Sequence, residues 1–156
     1  MKPCILCDLD GTLADVSAAR HHVLTQPRDF VAFHTYGTAE APLIESTARL
    51  LLALGDTLVV YVSARHERWR EATYTWLRYR FGGLSHDQRA RTLASSRLYL
   101  RANDDFRKDV IVKAEILTTI RANGWTPILA IDDNPSIIAL WESEGILTVK
   151  VPGWVE

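Results

Sequence analysis

A chain of 156 residues with 47% hydrophobic and 24% charged side chains can bury one sizeable core and leaves no room for a second catalytic domain, so residues 1–156 are expected to form a single domain. No apolar run is long enough to span a bilayer, and the few apolar residues between Lys2 and Asp8 do not make a signal peptide, so the expected location is the cytoplasm. A net charge of −1 argues against a dedicated polyanion binder, yet residues 65–101 carry nine basic and three acidic side chains, a basic island between acidic flanks.

In chain order, an apolar strand over about 3–9 runs into Asp8-Leu9-Asp10-Gly11-Thr12, where the glycine lets the backbone turn away. Residues 15–37 show no regular pattern and are the segment expected to form a small lid. Leu43, Ile44, Thr47, Leu50, Leu51 and Leu54 stand at helical spacing and predict one helix over 38–54, stopped by Gly55. The continuous β-branched run 57–62 is a strand buried on both faces, and a helix over 66–81 follows, with Trp69, Thr73, Trp76, Leu77 and Phe81 as its apolar stripe. Residues 82–96 read as a loose stretch, 98–100 as a short strand, 109–122 as a helix and 127–131 as another buried strand. Pro135 opens a helix reaching about 144, and 147–151 closes the series as a strand.

Strands alternating with helices imply right-handed crossovers and an α/β fold, a doubly wound, Rossmann-like parallel sheet. In such sheets ligands sit at the carboxyl ends of the strands. Asp8/Asp10, Ser63/Arg65 and Asp132/Asp133 each fall at or just after such an end, so three polar clusters converge on one edge. Cys4 and Cys7 have CxxC spacing, but positions three apart on a strand face opposite sides, so they are expected to be separate core thiols. The five histidines make no zinc-ligand spacing.

Asp8 and Asp10, at i and i+2, share a strand face and repel each other unless a cation or a proton lies between them. A divalent metal answers that need; the structural alternative is an Asx turn. Asp133 or Asn134 could instead cap the helix opened by Pro135. Asp109 and Lys113, at i and i+4, could form an ordinary helix-surface pair, and Lys108 is a second cation in the same stretch.

The Asp8-x-Asp10-Gly11-Thr12 motif behind an apolar strand resembles the first motif of the haloacid dehalogenase superfamily of phosphotransferases. The resemblance implies that Asp8 attacks phosphorus to form an aspartyl-phosphate. Asp10 would protonate the leaving oxygen and later activate water, and its presence favours phosphotransfer over dehalogenation. Asp132 and Asp133 resemble the fourth motif and would complete a magnesium site with Asp8, the Leu9 carbonyl and Asp10. Every one of these ligands is a hard oxygen, which suits Mg2+, and either Asp132 or Asp133 could ligate directly. Ser63 resembles the second motif, a hydroxyl that bonds a phosphoryl oxygen, and Lys113 the third, the neutralising cation.

Within the superfamily the chain resembles the 3′-phosphatase domain of bacteriophage polynucleotide kinase-phosphatase. The shared pattern is Asp8 to Ala14, Val62-Ser63-Ala64-Arg65, Arg107 to Ile116, Leu129 to Asp133, and a helix with Trp141 ending in Gly145. It implies that Arg65 grips the substrate phosphate, that Asp109 belongs to the site with Lys113, and that Arg20 contributes as well. No GxxxxGK[ST] occurs, so a freestanding phosphatase with at most a small cap is expected, without the kinase half. The expected function is therefore a Mg2+-dependent phosphomonoesterase of nucleic acid repair that removes 3′-phosphates from DNA or RNA ends, in a host cytoplasm if phage-encoded. A nucleoside monophosphate or other small-molecule phosphatase is the alternative. A receiver-type regulatory domain fits poorly, because its acidic pair belongs at the first strand and its phosphoacceptor at a later one. The arginines of the basic island could form a phosphodiester track or simply a solvated face.

Overall fold

The computed structural model describes residues 1–154. Five strands, β1 (Lys2–Cys7), β2 (Leu58–His66), β3 (Arg97–Arg101), β4 (Trp125–Asp132) and β5 (Leu147–Lys150), form one parallel sheet in the order β3-β2-β1-β4-β5. The order reverses direction at β1, which puts the residues after β1 at the crevice where such a sheet opens.

The helices in chain order are α1 (His21–Leu24), α2 (Phe30–Ala39), α3 (Glu45–Ala53), α4 (Arg70–Leu84), α5 (Gln88–Ala94), α6 (Asp109–Ala122) and α7 (Pro135–Ser143). Strand alternation splits the interior into two layers. Ile5, Cys7, Val59, Tyr61 and Ile131 face α2, α3, α4 and α5, whereas Cys4, Leu6, Val60, Val62 and Ala130 face α6 and α7. The two cysteines lie on opposite faces, as their spacing predicts.

The helix expected over 38–54 is in fact α2 and α3 with an extended break between them. Pro42 explains the break: it donates no amide hydrogen and holds the residue before it out of helical geometry. The freed segment binds the loop after β1, with Asp15 N–H donating to the Pro42 carbonyl at 2.9 Å and Ile44 N–H to the Leu13 carbonyl at 2.8 Å. A local proline thus fixes the loop that carries the acidic motif.

Two further differences stand out. β2 runs on through Ser63 and Arg65 to His66, so both polar residues belong to the strand itself. Residues 82–96, expected to be loose, contain α5, capped by Asp87, whose side chain accepts the Ala90 N–H, and anchored by buried Ala90, Leu93 and Ala94. Among the described residues no helix is long and apolar enough to cross a membrane.

Candidate active site

The loop after β1 folds tightly around one carbonyl. The oxygen of Leu9 accepts amide hydrogens from Thr12, Leu13 and Ala14 at 3.1, 2.9 and 2.8 Å. This corrects the expectation that it ligates a metal, because its lone pairs are already committed. Gly11 takes a φ of +87°, and a Cβ there would stand 2.1 Å from Asp133 Oδ2, so only glycine lets the last acid approach the first motif.

Asp8, at the mouth of β1, is buried, and its carboxylate accepts from two side chains. Lys113 Nζ, from α6, donates to Asp8 Oδ1 at 2.7 Å and to Asp132 Oδ2 at 3.0 Å. Thr12 Oγ1 lies 3.0 Å from Asp8 Oδ2 and 3.3 Å from Asp133 Oδ1. Asp8, Asp132 and Asp133 bring one carboxylate oxygen each to within 4.8 Å of one another, all three buried. Asn134 caps α7 through the Ser136 amide, which leaves the two acids before it free for other work. Asp132 is oriented by Trp141 Nε1 at 3.3 Å and the Asn134 amide at 3.1 Å.

The cluster is electrostatically unfinished. Burial raises the Asp8 carboxyl well above its ordinary range; Asp132 and Asp133 push the same way, and Lys113 opposes them. Burial and Asp132 raise Asp133 to about 6, against the pull of Arg20 and Lys113. Lys113 loses by burial, but Asp132 and Asp8 more than restore its charge, so it stays protonated. One ammonium and the Arg20 guanidinium, 3.5 Å from Asp133 Oδ2, face three carboxylates. That imbalance, on hard oxygens only, fits a small divalent cation.

Asp10 occupies a different environment from Asp8. Arg65 Nε and Nη2 reach it at 3.0 and 2.5 Å, and although burial would raise its pKa, the guanidinium holds it below the ordinary carboxylate range. Arg65 is 0% exposed, and two further donors go to Thr73 Oγ1 at 3.1 Å and the Gly37 carbonyl at 3.1 Å. This corrects the expectation that Arg65 grips a substrate phosphate: a fully enclosed guanidinium has no face to offer one. It positions Asp10 instead. Nor does the Asp10 side chain join the metal cluster, so any ligand from this residue is its main-chain carbonyl, to which no donor is bonded among the described residues.

Gly37, in α2, brings the segment 15–37 onto this pair, since a Cβ there would stand 3.0 Å from Arg65 Nη2 and 3.2 Å from Asp10 Oδ1. The same helix supplies His34, whose Nδ1 lies 4.0 Å from Asp10 Oδ2 and has no hydrogen-bond partner. Burial keeps its imidazole neutral, with a pKa lowered to about 4. Sequence reasoning missed His34; a lone histidine in an irregular segment carries no spacing signal.

Arg20 does reach the cluster, and it also donates to the Gly153 carbonyl at 2.6 Å. Ser63 is buried, its oxygen accepting the Arg65 amide at 3.2 Å. Asp109 departs from its expected role. Its half-exposed side chain pairs with Arg101 at 2.5 Å and does not touch Lys113. Arg101 is itself buried and donates to the carbonyls of Ala64 and Arg107 at 3.1 and 2.6 Å, so Asp109 anchors the start of α6 to the end of β2. The basic island is largely structural too. Arg70, Arg80 and Arg89 bind the carbonyls of Leu98, Glu40 and Thr57 at 2.9, 2.7 and 3.0 Å, so these members of the island brace loop and strand ends.

Comparison with known proteins follows the same lines. The family model described as the polynucleotide kinase PNKP phosphatase domain matches residues 2–153. A protein of Autographa californica nuclear polyhedrosis virus, provisionally named a bifunctional polynucleotide kinase/RNA ligase, is 26% identical over 147 residues, 93% of this chain and 18% of its own length. A chain in the structure of the Pnkp1/Rnl/Hen1 RNA repair complex superimposes with a TM-score of 0.70 at 23% identity, over 97% of this chain and 42% of that one. The class C acid phosphatase from Bacillus anthracis gives 0.60 at 18% identity, over 97% and 67%. This chain therefore spans less than half the length of the viral protein and of the repair-complex chain.

Proposed function

The chain belongs to the polynucleotide kinase PNKP phosphatase-domain family, of haloacid dehalogenase fold, and on that premise we propose that it removes 3′-phosphates from polynucleotide ends through an aspartyl-phosphate on Asp8. The observation that carries the reading is the separation of two acids only two residues apart. Asp8 sits among carboxylates beside Lys113, and Asp10 sits alone on Arg65. Such divergent environments suit a nucleophile and an acid/base.

Asp8, Asp132 and Asp133 would hold Mg2+, which supplies positive charge for the phosphoryl oxygens and keeps the nucleophile ionised. Asp8 forms the bond to phosphorus as the ester oxygen leaves, and Asp10 delivers the proton to that oxygen. Arg65 leaves Asp10 ionised in the resting site; a phosphoryl group arriving beside it raises its proton affinity, because like charges disfavour ionisation. In the second half Asp10 takes a proton from water as the water attacks the aspartyl-phosphate, which returns Asp8. Lys113 and the Ser63 hydroxyl contribute donors for the phosphoryl oxygens.

Phosphate release should be at least about tenfold faster from an oligonucleotide with a 3′-phosphate than from its 5′-phosphate counterpart or from 3′- and 5′-mononucleotides, and should vanish in EDTA. DNA and RNA ends should be assayed side by side. Faster turnover of mononucleotides would sink the polynucleotide reading and leave a small-molecule phosphatase.

The cation has a signature independent of turnover. Asp133 titrates near 6 when folded against an ordinary 3.8, and Asp8 is raised as well. A raised carboxyl favours the folded state while protonated, so cation-free stability declines as pH climbs through the Asp133 window from about 4 to 6, and the more strongly raised Asp8 adds to the decline in the same direction. Mg2+ should therefore raise Tm by several degrees at pH 7.5, at roughly 2–4 °C per kcal/mol, and by much less at pH 4.5. An equal shift at both pH values would contradict binding at these carboxylates.

A further inference from the structure

Beyond the phosphate-handling groups, an unbroken set of aromatic rings leads away from Asp10. The His34 ring lies 6.0 Å from Trp69, 6.4 Å from His66 and 6.3 Å from Phe30, the last with planes only 26° apart. His66 in turn lies 5.8 Å from Phe106. The rings come from three places: α2, the end of β2 with the turn behind it, and the loop between β3 and α6. Their inner members are buried, His34 at 6% and His66 at 8% exposure, but Phe106 is 82% and Phe30 49% exposed.

Core packing does not account for this arrangement. A phenylalanine four-fifths in water stabilises little by burial, and two buried imidazoles each keep a nitrogen without a partner, His34 Nδ1 and His66 Nε2. Beside them stands Arg68, exposed in the turn between His66 and Trp69, with its backbone N–H held by the Asn103 side chain at 2.8 Å and no acceptor on its guanidinium among the described residues. The exposed rings at the outer end of this set and a loose guanidinium supply chemistry that receives a nucleotide: stacking for the base and a cation for a phosphodiester. Position decides which nucleotide. Asp10 serves the leaving oxygen, so what lies beyond Asp10 is the nucleoside that owns that oxygen.

We propose that the aromatic rim formed by Phe30, His34, Trp69, His66 and Phe106 is a subsite that stacks the terminal base of the substrate, with Arg68 on the adjoining phosphodiester. The subsite rests on the 3′-phosphatase reading for its orientation and not for its existence. It also assigns a role to the segment 15–37, which builds one wall of the rim through Phe30 and His34.

The test compares oligonucleotides ending in a 3′-phosphate whose last nucleotide either carries its base or is abasic. Binding is measured by anisotropy of a 5′-label on Asp8→Asn protein, which does not consume the ligand. The base-bearing end should bind about 5- to 150-fold more tightly, the range expected for stacking on an aromatic side chain. Phe106→Ala and Phe30→Ala, both at exposed positions where folding tolerates the change, should collapse that ratio toward one. Tyr79→Ala, on an exposed residue of α4 outside the rim, should keep it. Equal binding of the two ends, or a ratio untouched by Phe106→Ala and Phe30→Ala, overturns the subsite. Hydrolysis by the unmodified protein separates the two readings. Equal rates on both 3′-phosphate ends would overturn the subsite and keep the 3′-phosphatase; base-dependent binding with no hydrolysis of either end would do the reverse.

Discussion

Asp8→Asn is expected to cut phosphate release by about 10⁴-fold or more while leaving the fold at least as stable as before. The amide keeps the shape of the carboxylate, and its oxygen still accepts from Lys113, but it cannot attack phosphorus. Stability should hold or rise because the group removed is one whose ionisation the folded state resists, through burial and the nearby Asp132 and Asp133. Most active-site substitutions confound lost chemistry with lost structure, and here the two move in opposite directions. Acid-quenched protein should carry substrate phosphate on Asp8 in the unmodified chain and none in the variant, measured by intact mass. Retained turnover in Asp8→Asn, or a phosphorylated residue elsewhere, would transfer the nucleophile's role to another side chain.

How much of this was legible in the sequence depends on the range of the interactions. The first motif, the late acidic pair and Lys113 were readable because each sits at a fixed offset from a strand end or a helix start, and the parallel sheet carries such offsets to one edge. Two assignments failed because they turn on where a side chain points, and a third because of a backbone turn. Arg65 and Asp109 stand at the expected positions, but Arg65 is spent on Asp10, Thr73 and Gly37, and Asp109 on Arg101. The Leu9 carbonyl is a ligand that the family resemblance implies, and the tight turn through Ala14 commits it elsewhere. The basic island looked like surface because arginine usually is. Four of its members instead satisfy carbonyl groups at loop and strand ends, a use of the guanidinium fork that composition cannot reveal. The missed α5 did leave a signal, an Asp87 cap followed by apolar residues at 90, 93 and 94, obscured by the polar residues interleaved with them. His34 left none, since Asp10 lies 24 positions away in sequence and the two meet only where Gly37 lets α2 approach the Asp10–Arg65 pair.

Lys113→Met should reveal what the buried ammonium does. Methionine fills nearly the same volume with an unbranched, adaptable chain, so the packing of α6 on the sheet survives and the charge alone is lost. Asp8 and Asp132 then face each other and Asp133 without their shared donor, in a site where Lys113 is 3% and Asp132 1% exposed. Removing one member of a buried ion pair costs about 3–5 kcal/mol, and losing a preorganised charge at the phosphoryl group costs roughly 10²–10⁴ in kcat. Both losses should depend on conditions in a way a packing defect would not. Falling pH should recover stability as the acids take up protons, and Mg2+ should recover part of it at pH 7.5 by supplying the missing charge. The double variant Asp8→Asn with Lys113→Met should be more stable than Lys113→Met alone, since one orphaned carboxylate is gone, and a double-mutant cycle of thermal melts measures that coupling. Unchanged kcat in Lys113→Met would mean that the cation facing the phosphoryl group comes from elsewhere, with Arg20, 3.5 Å from Asp133, the residue to substitute next.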